Sequence, residues 1–525
     1  MSRFPLRAAR GRGLANGPAV ARRLWMLVLL TLLIGAGNAV GTPNAVRPPS
    51  TLDGAVAPAA VDRFVEEQME RHRIPGVSLA LFEEGRIIYT AGYGKADRHT
   101  AMEPDTPMPA GSITKVITAV AILQLAEDGK ISLDASVQTY LPWFTVADET
   151  AAAAITVQHL LQHTSGLSQP GYSRVLPANT SLEQGVRDLS RARLTAPVGS
   201  EFQYFNGNYS TLALIIEVVS GKRYGDFVRA RILEPLGMDR SDATFAETRT
   251  AQGHSKLFGF PFSRNVPPFK YLLGAGHLTS TAPDLARLAV ALDNNGAYGD
   301  VRILSPASVD LMRTPPPGNG ASYGMGWEQR EHRGASIGGH NGGDPTFMGQ
   351  VWVHDDAGRG YVILMNQEHL IDAVVIFPQL TDGMLALLRG QPAPVPGPSV
   401  SLIGAVLLVA FLVSIILTAR DLTRLRGWTA RSRAMPPARL ASEIGRHFAV
   451  PALIVAAVYL LPPLFLHERF TVDWAGRYYL PDILLLLIVA TVPDVLQGLY
   501  LLATAIAQRW PYAAVQEQRG RPPVR

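Results

Sequence analysis

The sequence predicts an α/β (α+β) domain, an antiparallel sheet flanked by helices with an added helical lobe, followed by three transmembrane helices. Three observations predict it. Alternating apolar runs lie near both ends of a globular stretch, helical periodicity fills the interval, and three apolar segments of about 20 residues follow a proline-rich linker.

The chain opens with many arginines and no acidic residue before Asp53, then the apolar run "LWMLVLLTLLIGAG" and the small-residue stretch "GNAVG". That order is the layout of a secretory signal, residues 1–39, with a cleavage site after Ala39, the alternative being an uncleaved anchor helix. Residues 55–390 then form the soluble domain. Residues 61–72 have helical spacing, and "VSLALFEEGRIIYTAGYG" is two alternating runs about Glu-Glu-Gly, a β-hairpin. "ASIGGHNGG", "FMGQVWVHDDAG" and "RGYVILMNQ" read as three further strands, and a helix around 373–388 closes the domain. Strands from both ends of the domain are expected to pair in one sheet, with the helical middle as flanking layers and a second lobe.

Residues 391–399 form a linker and 400–507 a membrane domain, with spans at 400–419, 448–466 and 483–507. The first connection carries Arg420, Arg424, Arg426, Arg431, Arg433, Arg439 and Arg446, whereas the second, "HERFTVDWAGRYYLP", is nearly balanced. Positive charge stays inside, so the first loop and the tail at 508–525 are expected in the cytoplasm. The soluble domain then faces the periplasm or exterior of a bacterial inner membrane. Prolines 451, 462 and 463 are expected to kink the ends of the second span. Asp494 follows Pro493 inside the third, where a carboxylate needs a partner, either across helices or within a broken helix.

There is no cysteine, which removes thiol catalysis, Cys-ligated zinc and a disulfide framework. The net charge of +5 arises from arginines in the N-terminus and C-terminal loops, a topology signal that leaves no nucleic-acid partner implied.

Within the soluble domain "MPAGSITKVITAV" sets Ser112 and Lys115 one helical turn apart at the head of an amphipathic helix. Serine is favoured as a helix cap whatever the function. Lysine is rare here, six in the whole chain, and unlike arginine a desolvated lysine can lose its proton. The pair therefore reads as a nucleophile with its activating amine, and the helix N-terminus favours the oxyanion formed when serine attacks a carbonyl. "EFQYFNGNYS" adds Tyr204 and Asn206, with the phenolate favoured beside an ammonium, and "GGHNGG" adds His340, Asn341 and Gly343 on a strand whose glycines admit a ligand's backbone. His159 and His163, at i and i+4, have the spacing of a zinc helix but no glutamate beside the first, and read as a structural helix end.

The order Ser-x-x-Lys, Tyr-x-Asn, His-x-Gly resembles the serine β-lactamase and penicillin-binding-protein superfamily, in its class C-like branch. "ITVQHLLQHTSGL", "EPLGMDRSDAT", "GAGHLTSTAPDLARLAVAL" and "YGMGWE" are similar to the same branch, and the likeness covers about residues 61–389. It implies Ser112 as acylated nucleophile, Lys115 and Tyr204 as the base system, Asn206 and His340 as substrate contacts, and the N–H groups of Ser112 and Gly343 as oxyanion hole. It implies a serine hydrolase without cofactor or metal. A signal, this domain and three spans together resemble membrane-anchored prodrug-activating D-peptidases of the colibactin-maturation type, which remove N-acyl-D-amino-acid caps. That likeness implies a small peptide or N-acyl-peptide substrate, the lipid bilayer and an exporter as partners, and a substrate amide held by His277 and Asn341. D-Ala-D-Ala carboxypeptidase, β-lactamase-like and esterase activities, and a cell-wall sensor that acylates without turnover, stay open as alternatives.

Overall fold

The computed structural model describes residues 57–244, 250–318, 321–354, 358–460, 476 and 478–519. The expected signal at 1–39 and the last six residues of the expected span at 448–466, with Pro462 and Pro463 among them, lie outside the described residues. The described chain forms two compact units. The first holds the residues up to Ala405 together with those of 468–482, and the second holds 406–467 and 483 onward.

The first unit begins with helix α1, Pro58–His72, and the hairpin strands β1, Gly76–Glu83, and β2, Arg86–Gly94. The hairpin turns on Glu84 and Gly85, both at positive φ. The central helix α2 spans Thr114–Glu127, α3 Asn206–Ser220 and α4 Ala282–Asp293. Strands β3, Glu328–His332, β4, Ala335–Asp344, β5, Phe347–His354, and β6, Arg359–Met365, precede helix α5, Leu370–Leu388. The sheet order is β2-β1-β6-β5-β4-β3, so the N-terminal hairpin joins the C-terminal strands as expected, through antiparallel pairs such as Leu79 with Ile363. The edge strand β3 was not foreseen; its sequence "EQREH" has no apolar alternation.

Strand β1 is buried on both faces, which is why it reads as a nearly unbroken apolar run. Leu79 and Leu81 pack with Phe64 and Val65 of α1 and with Ile376, Leu380 and Met384 of α5. Ala80 and Phe82 face the other layer, with α2, α4 and the helical lobe. Helix α2 is corrected from amphipathic to buried all round, with residues from Thr114 through Leu125 inside. Its polar side chains are satisfied there: Thr118 Oγ1 bonds Tyr224 Oη and the Gly274 carbonyl, each at 2.7 Å.

Among the described residues three helices are long and apolar enough to cross a membrane: Leu370–Leu388, Val400–Thr423 and Pro481–Gln508. The first of these is α5, whose apolar residues cover the sheet. The other two match the expected first and third spans, in helices α6, Val400–Arg424, and α8, Pro481–Arg519. Helix α7, Pro437–Leu460, carries the start of the expected second span and runs through Pro451. Helix α8 is continuous through Pro493 and Asp494, which corrects the broken-helix reading. Within the second unit the Asp494 carboxylate lies 3.5 Å from His447 Nδ1 on α7, and Trp428 Nε1 donates to Thr504 Oγ1 at 3.0 Å.

Candidate active site

Ser112 sits in a 3-10 turn, Gly111–Ile113, that leads into α2. Its side chain does not cap the helix; the hydroxyl instead meets Lys115 Nζ at 3.0 Å. Gly111 makes this turn possible twice over. Its φ of 53° is in the left-handed region, and a Cβ there would stand 2.6 Å from Gly343 N. A Cβ on Gly342 would in turn stand 2.1 Å from the Ala110 carbonyl oxygen, so the end of β4 crosses the serine turn on bare backbone. The segment Gly274 to Leu278 clamps the turn from another side: Ala110 N donates to Leu278 O at 2.8 Å, and Leu278 N to Thr114 Oγ1 at 2.9 Å.

Lys115 is fully buried. Its amine contacts Ser112 Oγ at 3.0 Å, Asn206 Oδ1 at 2.8 Å and Ala275 O at 2.7 Å, and lies 4.7 Å from the Tyr204 ring centroid. Burial holds its pKa well below the ordinary lysine range. In the neutral amine two protons and one lone pair remain. Asn206 Oδ1 and Ala275 O can only accept, so they take the two protons, and the lone pair is left for the Ser112 hydroxyl. This differs from the expected ammonium beside Tyr204: the enclosed site favours the uncharged base.

Tyr204 precedes α3, and Asn206 is the first residue of that helix. His340 projects from β4 on the Ser112 side, its Nε2 at 3.0 Å from Tyr323 Oη. Burial and then Lys115 lower its pKa to about 3, so it is neutral at physiological pH. His277 lies within the clamp segment; burial lowers its pKa to about 4, against a hydrogen bond to the Phe269 backbone that raises it.

Asn341 is a correction. Successive residues of a strand face opposite ways, and with His340 toward Ser112 its neighbour points to the far layer. There Asn341 Oδ1 accepts from Gln350 Nε2 at 3.0 Å and Trp352 Nε1 at 3.1 Å, under α5.

The two histidines of "HLLQH" part company. His159 completes a capping box with Thr156, whereas His163, at φ 56°, turns into the site. Its ring lies 4.5 Å from that of Tyr204, and its Nδ1 takes the Phe205 N–H at 3.2 Å. Burial holds His163 well below the usual histidine range. Its place beside Tyr204 was missed, because nothing in a helical spacing announces a left-handed residue at the helix end. Among the described residues no group of histidine and acidic side chains has the makings of a metal site.

A sequence model of the family described as Beta-lactamase matches residues 61–377, more than half of the chain. The chain belongs to the β-lactamase family. It is a serine hydrolase. Penicillin-binding protein 4 of Amycolatopsis lactamdurans is 31% identical over 336 residues, 58% of this chain and 84% of that relative. Protein flp of Staphylococcus aureus (strain N315) is 25% identical; the match covers 58% of this chain but only 62% of flp. Among solved structures, the D-amino acid amidase of Ochrobactrum anthropi SV3 superposes with a TM-score of 0.51 at 25% identity, covering 59% of this chain and 91% of the amidase. The matched region of this β-lactamase-family chain contains Ser112, Lys115, Tyr204, Asn206, His277, His340 and Gly343, all within one neighbourhood of the fold.

Proposed function

We propose that this chain is a membrane-anchored serine peptidase that cleaves amide bonds of D-amino-acid-containing or N-acyl-D-amino-acid peptides, in prodrug maturation or peptide processing. The observation that carries the reading is the buried Lys115 amine with its lone pair left to Ser112. Ser112 Oγ attacks the substrate carbonyl while its proton passes to Lys115 Nζ. The N–H groups of Ser112 and Gly343 stabilise the oxyanion. The C–N bond then breaks, the leaving amine takes a proton through Tyr204 and Lys115, and water releases the acyl group by the reverse relay. Asn206 and neutral His340 hold the substrate. The likeness to a D-amino acid amidase supports D-selectivity, and the arginine-rich connections support a catalytic unit outside the cytoplasm, acting beside an exporter on substrates from the bilayer.

The test incubates membranes bearing the full chain, or its Ser112→Ala form, with N-acyl-D-amino-acid amides, their L enantiomers, a D-Ala-D-Ala peptide and a cephalosporin, and reads products by mass spectrometry. Repeated turnover of the D-amides, absent in Ser112→Ala, is expected. Preference for L-amides contradicts the D-peptidase reading, and a stable Ser112 adduct without turnover points to the sensor.

A further inference from the structure

A β-hairpin of the catalytic unit stands where two apolar helices begin. Its strands His254–Leu257 and Phe260–Ser263 pair antiparallel, the second at the edge of a three-stranded sheet whose other outer strand is Gln367–Glu368. The turn is Phe258 and Gly259, at φ 52° and 80°, the two-residue type with both centres left-handed. Phenylalanine is a costly residue there, and its neighbours hold it in place. One neighbour is the head of α6: a Cβ on Gly404 would stand 2.5 Å from Gly259 N, so helix and turn meet on bare backbone. The same end of α6 is fixed to the end of α1, where Val400 N donates to His72 Nδ1 at 3.3 Å and Ser401 Oγ to Arg71 O at 3.0 Å. The other neighbour is the head of α8. Asp482 accepts from Phe258 N at 3.2 Å and meets His369 Nε2 at 3.0 Å, and just ahead of it Tyr479 O accepts from Leu370 N at 3.1 Å. All of these residues belong to the catalytic unit.

The helix sets the depth of the hairpin. At about 1.5 Å per residue, Gly404 lies about 6 Å beyond Val400, where the apolar run starts. Phe260 follows Gly259 in the chain, about 3.8 Å on between Cα atoms. It therefore sits at a level where α6 is already apolar. Phe260 is 54% exposed and Phe262, on the same face of the strand, 39%. The Arg73 guanidinium stacks 4.3 Å over the Phe260 ring, and Tyr478, ahead of α8, has the Arg264 guanidinium 5.5 Å from its own. Aromatic rings and arginines at the ends of apolar helices are the composition of a membrane–water interface.

We infer that Phe260 and Phe262 insert into the surface layer of a phospholipid bilayer, with Arg73 at the level of its phosphates, and that this hairpin seats the catalytic unit on the membrane. The inference rests on the membrane-anchored reading above. The same small sheet reaches the acylation site, since a Cβ on Gly343 would stand 3.8 Å from Glu368 Oε2 in its far strand. The seat on the bilayer and the oxyanion strand are thus joined through three short strands.

The chain has no cysteine, so a single introduced one carries a nitroxide label cleanly. Full-length Phe260→Cys, Phe262→Cys, Leu402→Cys and Val218→Cys are labelled and placed in nanodiscs of phosphatidylethanolamine and phosphatidylglycerol. Leu402 lies in the first turn of α6, and Val218, on α3, matches Phe260 in exposure at 54%. Power-saturation EPR compares collisions of each label with oxygen, which enriches in lipid, and with a water-soluble nickel chelate. The oxygen-to-nickel ratio at positions 260 and 262 is expected to be severalfold above that at 218, on the lipid side with 402. Ratios at 260 and 262 equal to that at 218, with 402 still lipid-like, overturn this inference alone. A water-like ratio at 402 defeats the membrane reading itself.

Discussion

Lys115 and Lys256 are the two lysines buried in the catalytic unit, and they have opposite surroundings. Lys256 Nζ lies 2.7 Å from Asp372 and donates to the His72 carbonyl at 2.6 Å, so it ties the end of α1 to the first turn of α5. Asp372 also accepts from Gln367 Nε2 at 2.6 Å. Lys115 has two acceptor oxygens and a serine hydroxyl, none of them a carboxylate. A buried ammonium without a counter-charge costs several kcal/mol, so the second environment selects the neutral amine and the first the ion pair. Burial alone therefore does not mark a catalytic lysine; burial without a carboxylate does.

The comparison breaks most visibly in activity. Lys115→Ala and Lys115→Arg each lower kcat/KM by about 10³-fold, because arginine cannot act as the base, while circular dichroism stays that of the wild type. Lys256→Met instead leaves Asp372 buried and unpaired, which costs about 3–5 kcal/mol of stability in denaturant titration, with turnover per folded molecule within about 3-fold. A double Lys256→Met, Asp372→Leu variant recovers most of that stability.

Acidity sharpens the same contrast. Lys115 must be neutral to act, so kcat/KM rises with pH through a limb whose midpoint lies below the ordinary lysine value of about 10.4. His340 binds its proton near pH 3 when folded and near 6.5 when unfolded, so the unfolded state holds more protons between those values. Its contribution to stability is present above pH 6.5 and is lost as pH falls toward 3, a window that thermal melts across pH resolve. The smallest effect separates strand neighbours: Asn341→Ala costs about 1 kcal/mol through the unpaired Trp352 N–H, since Gln350 Nε2 keeps Thr381 Oγ1 and the Phe377 carbonyl, and leaves kcat/KM unchanged, whereas His340→Ala reduces kcat/KM.

These residues also mark how far the sequence could be read. Ser112 and Lys115 were legible because one helical turn brings i and i+3 together, and the sheet was legible because β1, β4, β5 and β6 are buried apolar runs between turns. The error at Asn341 was avoidable, since alternation on β4 already forbids two adjacent side chains from facing one site. His163 beside Tyr204 depends on a left-handed residue, and the return of Tyr478 to Asp482 depends on bonds to His369, Phe258 and Leu370. Neither leaves a periodic trace in the sequence.

The central claim is that Ser112, served by neutral Lys115, carries the acyl group. Intact-mass analysis with peptide mapping, after quenching the full chain during turnover of an N-acyl-D-amino-acid amide, tests it most directly. The account predicts one acyl increment on the peptide containing Ser112, lost in Ser112→Ala and formed far more slowly in Lys115→Ala. Turnover without any adduct, or an adduct on another residue, contradicts it.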